Sequence, residues 1–177
     1  MSKLEAVAAL SAPELLAPPV LAALRQWNAA DQVLVAPIDA ALADTAEFCA
    51  AYDVGLEESA NCVVISGKRE GEVRYAACVL LATTRADVNG VGRKRLDVRK
   101  ASFAPMESAV SETGMEYGGI TPIGLPGGWP VLVDSRVLEV PEAVVGSGLR
   151  RSKIVLPGTL LAELPGASVI EGLGRVL

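Results

Sequence analysis

The stretch from Gly114 to Pro130 holds six glycines and three prolines in 17 positions. No regular helix or strand tolerates that density, because proline removes amide donors and glycine spreads the backbone over torsions that other residues avoid. The rest of the chain must therefore fold around a long loop whose path is set by these residues. Such loops bring main-chain N–H groups close to a ligand, as an oxyanion hole or phosphate cradle requires. Gly119 to Gly124 has the glycine spacing of a P-loop, but Leu125 stands where that motif needs lysine, which argues against a nucleotide triphosphatase.

The flanking sequence supplies a core. Asn61 to Ile65 and Tyr75 to Leu81 are nearly continuous apolar runs on either side of the polar segment Ser66 to Glu72, which predicts a hairpin with both faces covered, central in a sheet. Further strands are expected at 131–133, 143–145 and 154–156, with a short one near 168–170. Helices are expected near 88–96, 105–113 (ended by Gly114) and 159–164. Asp44 to Glu47 has capping character before a short helix, with Gly55 as its stop. Residues 1–30 read as a helical extension packed on the domain: Ser11 to Glu14 has capping-box form, and a second helix runs from Pro19 to Ala30. Residues 31–177 then form one globular unit. A chain of 177 residues, 51% hydrophobic, buries roughly 70% of its unfolded surface and needs no metal or disulfide support. Strands and helices mingle without regular alternation, so the fold class is α+β.

Composition removes most familiar chemistry. The chain has no histidine, which excludes His-dependent triads, HExxH sites and imidazole bases. Cys49, Cys62 and Cys78 lack metal-ligand spacing and read as buried reduced thiols, consistent with a reducing cytosol. No apolar run reaches the roughly 18 residues that cross a bilayer. The net charge of −5 argues against a non-specific nucleic-acid coat. Basic residues nevertheless cluster: Arg85, Arg93, Lys94, Arg95, Arg99 and Lys100 in one stretch, and Arg150, Arg151 and Lys153 in another. An acidic body with two basic clusters suits one short stretch of RNA, with Arg93, Lys94, Arg95, Arg150, Arg151 and Lys153 as the candidate contacts. Gly146-Ser147-Gly148 starts like a dinucleotide fingerprint, but Arg151 occupies the third glycine's place. Ser147 as a nucleophile has no histidine to activate it.

The order of these features, an apolar strand from Asn61, its partner at Tyr75 to Leu81, the basic stretch, Gly118-Gly119-Ile120-Thr121-Pro122-Ile123-Gly124, Val133-Asp134 and Gly146-Ser147-Gly148, resembles the YbaK-type, prolyl-tRNA synthetase-associated editing domains over about residues 30–172. The resemblance implies a mixed, barrel-like sheet surrounded by helices. It also implies hydrolysis of the ester joining a wrong, small amino acid to transfer RNA, by attack of water or a ribose hydroxyl with backbone-amide stabilisation, without metal or cofactor, acting in trans on aminoacyl-tRNA and alongside a synthetase. Gly118 and Gly119 become the expected carbonyl or oxyanion donors, Thr121 and Pro122 the rigid substrate wall, and Gly146, Ser147 and Gly148 the opposite one. A small pocket would reject bulky side chains sterically. The family's motif has a lysine at the start of the first hairpin strand, where this chain has Asn61. Loss of an electrostatic group at a catalytic centre commonly costs about 2.7 to 4 kcal/mol. Lys68 lies roughly 20 Å along the strand, so a replacement cation would have to be Lys153, Arg150 or Arg85 folding back. The same asparagine supports a second reading, a non-catalytic relative that binds aminoacyl-tRNA, an aminoacyl ligand or a synthetase.

Overall fold

The computed structural model describes residues 2–177. Its centre is the hairpin of β3 (Ala60–Arg69) and β4 (Glu72–Leu81), longer than the apolar runs because the polar residues continue both strands to a two-residue turn. Glu70 and Gly71 both have positive φ, 52° and 81°, the torsions that match a tight turn to the strands' right-handed twist.

Eleven strands form three sheets among the described residues. β1 (Val7–Ala8), β2 (Leu34–Pro37), β9 (Ser152–Leu156) and β8 (Ala143–Gly146) make a four-stranded sheet in the order β1-β2-β9-β8. β10 (Ala167–Ile170), β7 (Val131–Asp134), β4, β3 and β6 (Ala101–Phe103) make a mixed five-stranded one, with β4 paired parallel to β7 and antiparallel to β3. β5 (Thr84–Ala86) pairs with β11 (Gly174–Val176). The two large sheets meet at an isolated parallel bridge between Ser59 and Val144. No closed barrel is found among the described residues, so the mixed α+β class stands without barrel closure.

Alternation along β4 places Ala76, Cys78 and Leu80 in one core with Ile65, Leu96 and Leu132. Val79 and Leu81 lie in the larger core between the sheets, with Val20, Leu24, Val133 and Ile154. The hairpin is thus covered on both faces. A third cluster of Ile38, Phe48, Cys49 and Val144 lies under α2 (Thr45–Tyr52).

Several expected elements differ. The first thirty residues are only partly helical: β1 pairs with β2, and two 3-10 turns precede α1 (Pro18–Gln26). The Ser11 capping box does not form, because its hydroxyl donates back to Ala8 O. Helix α2 stops at Asp53, in the left-handed conformation with φ 55°, and not at Gly55. The 88–96 stretch is a π-turn followed by one turn of helix, α3 (Arg93–Leu96). Helix α4 (Met106–Thr113) ends as expected at Gly114, φ 69°. Among the described residues, no helix is long and apolar enough to cross a membrane.

Candidate active site

A cleft opens along the free edge of β3. Ser59 C=O accepts from Ala82 N–H, so odd-numbered residues turn their main-chain groups to β4 and even-numbered ones to the opposite edge. On that edge Ala104 N–H donates to Val64 C=O and β6 pairs with Ile65 to Gly67. The Ser59–Val144 bridge closes the near end. Between these two attachments the Cys62 backbone has no neighbouring strand. The cleft, of about 350 Å³, lies there, lined by Val144, Val145 and Gly146 of β8, by Phe103, Ala104 and Ala109, and by Tyr117, Gly118 and Ile120 of the glycine loop.

Three polar groups converge there. Asn61 is half-buried, and its Oδ1 accepts from Thr45 Oγ1 at 2.8 Å. That bond spends the carbonyl half of the amide and leaves the NH₂ group to meet a ligand. Lys153 also lines the cleft; its Nζ donates to Ala43 O at 3.1 Å and lies 5.0 Å from the Phe48 ring centroid. Burial holds its amine below the ordinary lysine range. The charge of Arg150 pushes the same way, against Cys49 and Asp44. Arg150 occupies the rim, donating to Tyr117 O and Ala40 O and lying 3.7 Å from Asp44.

The third group is the loop backbone. Gly119 N–H donates to Glu116 O, and Gly119 O accepts from Gly148 N–H. The amides on either side, of Gly118 and Ile120, have no acceptor among the described residues, and both residues line the cleft. Gly118 has φ 89°, a torsion that costs any L side chain energy.

Among the described residues, no thiol or hydroxyl in or beside the cleft is activated as a nucleophile. Burial pushes the Cys62 thiol far up, reinforced by Cys78, so it stays protonated. Ser147 is fully buried and bonded to Ser152 Oγ at 2.6 Å. Among the described residues no three of His, Cys, Asp or Glu converge as a metal site would need.

Residues 39–164 match the profile of the aminoacyl-tRNA editing domain. The chain belongs to that family. Solved structures share its fold. One described as a candidate trans-editing enzyme for prolyl tRNA synthetase is 21% identical with TM-score 0.75, covering 90% of this chain and 96% of that one. A scaffold protein used for epitope grafting is 21% identical with TM-score 0.73, covering 91% and 97%.

In this editing domain the sequence-derived candidates separate. Asn61, Gly118, Gly146 and Lys153 share the cleft. Gly119 lines no part of it, and its amide is already used. Thr121 is fully buried, with its hydroxyl unpartnered, outside the cleft. Pro122 lies on a different cavity beside Trp27 and Trp129. Gly148 packs against Ala17, where a Cβ would come within 2.4 Å. Among the basic candidates, Arg150 sits on the rim, Arg151 donates to Glu14 O, and Arg93, Lys94 and Arg95 on α3 lie away from the cleft. Thr45, Ile120 and Tyr117 were not marked by sequence. Thr45 follows a capping aspartate, and Ile120 and Tyr117 are ordinary apolar side chains inside a glycine motif.

Proposed function

We propose that this editing domain hydrolyses the ester of a transfer RNA mischarged with a small amino acid, with the β3-edge cleft as its active site. One observation carries the reading: Asn61, Lys153 and the unpaired amide of Gly118 line a single small cavity. An aminoacyl ester is already activated, so positioning and electrostatics suffice without histidine.

Water adds to the acyl carbon, and the carbonyl oxygen becomes an oxyanion held by the N–H groups of Gly118 and Ile120. The ester C–O bond then breaks, the ribose oxygen takes a proton, and free amino acid and transfer RNA leave. Asn61, fixed by Thr45, holds the attacking water or the acyl group through its NH₂. Lys153 supplies the positive charge that Asn61 cannot. The walls of Val144, Val145 and Ala109 limit the side chain that fits. Each extra methylene at such a wall discriminates by about 1 to 3 kcal/mol.

The test is a panel of transfer RNAs charged with amino acids of increasing size. Acceleration should be greatest for the smallest and vanish for branched or aromatic ones, while no acceleration over buffer on any member refutes the reading. Asn61 itself favours a second reading, an aminoacyl-tRNA binder without catalysis, acting beside a synthetase. If the wild-type protein binds but is silent, and Asn61→Lys gains hydrolysis, that second reading holds.

A further inference from the structure

Of the seven aromatic residues in the chain, only Phe103 and Tyr117 are exposed, at 57% and 56%. Both line the cleft mouth, one from the end of β6 and the other from the glycine loop. Aromatic rings are costly to leave in water, and the other five are buried or half-buried, two of them as the Tyr75–Trp129 stack at 5.0 Å.

Across the corner between β6 and α4 lies a second groove, of about 530 Å³. The cleft touches Phe103, Ala104 and Ala109, and the groove touches Ser102, Pro105 and Ser108, so residues of the same corner line both. Lys68, Arg99 and Lys100 line the groove together with the hydroxyl-bearing Ser66, Ser102 and Ser108, and no carboxylate does. Arg69, Arg74, Arg150 and Arg175 pair with aspartates, whereas Lys68, Arg99 and Lys100 have no ion-pair partner among the described residues. Uncompensated cations with hydroxyls beside an exposed ring form the surface that single-stranded nucleic acid takes: phosphates on the cations and bases on the ring faces.

We infer that Phe103 and Tyr117 stack the last bases of the RNA's single-stranded 3′ end at the cleft mouth, and that Lys68, Arg99 and Lys100 hold the phosphates upstream. This rests on the deacylase reading for the identity of the RNA end, and moves the RNA track from α3 to the β6–α4 corner. The cleft takes the acyl group, the two rings fix the terminal nucleotides, and the groove sets the direction of the strand.

The experiment compares wild type, the triple variant Lys68→Ser/Arg99→Ser/Lys100→Ser, and Phe103→Ala on two substrates. These are a transfer RNA charged with a small amino acid and the matching 3′-aminoacyl-adenosine, which carries no upstream phosphates. Binding of uncharged transfer RNA is followed against salt in parallel, and thermal melting reports folding. The triple variant should lose at least tenfold more on the full transfer RNA than on the adenosine ester. Its salt slope should fall by about 2, near 0.7 for each of three single-strand phosphates. Phe103→Ala should weaken RNA binding roughly 5- to 150-fold. Unaltered binding and slope, or equal losses on both substrates with unchanged melting, overturn the inference. If the wild type binds with this groove dependence but hydrolyses nothing, the RNA track stands and the deacylase reading falls. Hydrolysis indifferent to the groove gives the reverse.

Discussion

In the proposed mechanism Gly118 and Lys153 act most directly, and each yields a separable prediction. At Gly118 a Cβ would meet Arg150 Nη1, and φ is 89°. Gly118→Ala must shift its own amide, so deacylation should fall roughly 100-fold, the scale of a lost oxyanion donor. The melting temperature should fall by only a few degrees, the scale of about 1 to 2 kcal/mol of left-handed strain. Gly119 is the poorer probe, since a Cβ there would come within 2.7 Å of the Leu149 backbone; valine at that position disturbs the fold itself. Lys153 makes the opposite combination. Its amine is held below its ordinary value mainly by burial, so the unfolded chain binds the proton more tightly than the folded one. Stability tied to this group therefore rises as pH climbs through the folded value toward 10.5, and the burden is full below it. Lys153→Met should stabilise the protein at neutral pH, flatten that alkaline rise in denaturant titrations, and still abolish most deacylation. Loss of both stability and activity would assign Lys153 a packing role only.

At the level of elements, the C-terminal strand shows how one buried carboxylate ties distant segments together. Asp134, at the end of β7, is 1% exposed and accepts from Arg136 Nε, Arg136 Nη2 and the Gly174 amide, the last at 2.6 Å. Burial works to raise its carboxyl, but bonds from Arg136 and Gly174 outweigh it and hold the group below the usual range. The stability it contributes is present above 3.8 and lost as pH falls through the lower folded value. Asp134→Asn should cost about 2 kcal/mol, since bonds to charged groups contribute roughly 1.5 to 3 each. Urea denaturation at pH 7 would show the cost. Hydrogen exchange should reveal β11 opening first, whereas uniform loss of protection would mean that Asp134 does not pin that strand. Elements with strong local patterns were legible in sequence: the β3–β4 hairpin, β7, β8 and α4 with its Gly114 stop. The short strands β1, β5, β6 and β11 were not, because two or three residues carry no periodicity and form only where a partner edge awaits them, and β2 ends on Pro37, which reads as a break. The stop at Asp53 escaped notice because glycine two residues later offered the better left-handed candidate by propensity.

For the whole molecule, the family was readable from the glycine loop, but the division of labour within it was not. A glycine required for close approach looks the same in sequence whether the approaching group is a ligand or the protein's own backbone. Gly146 abuts the carbonyls of Gly119 and Ile120, Gly124 abuts Pro19, and Gly148 abuts Ala17, so most of these residues serve internal packing around the start of α1. Lys153 shows the converse. Its place in a charged run suggested an RNA contact or, with Arg150 and Arg85, a cation folding back to Asn61, and the pairing of β9 between β2 and β8 brings it to the cleft. The same topology leaves Cys62 on a free strand edge, a property of sheet order that no window of sequence displays. The central claim is that the acyl group sits in this cleft, and amide NMR with a non-hydrolysable 3′-aminoacylamino-adenosine carrying a small side chain tests it most directly. Saturable shifts at Gly118, Ile120, Cys62 and the Asn61 side-chain NH₂ are predicted. Shifts confined to Pro122 through Trp129, with those four signals unmoved, would contradict it.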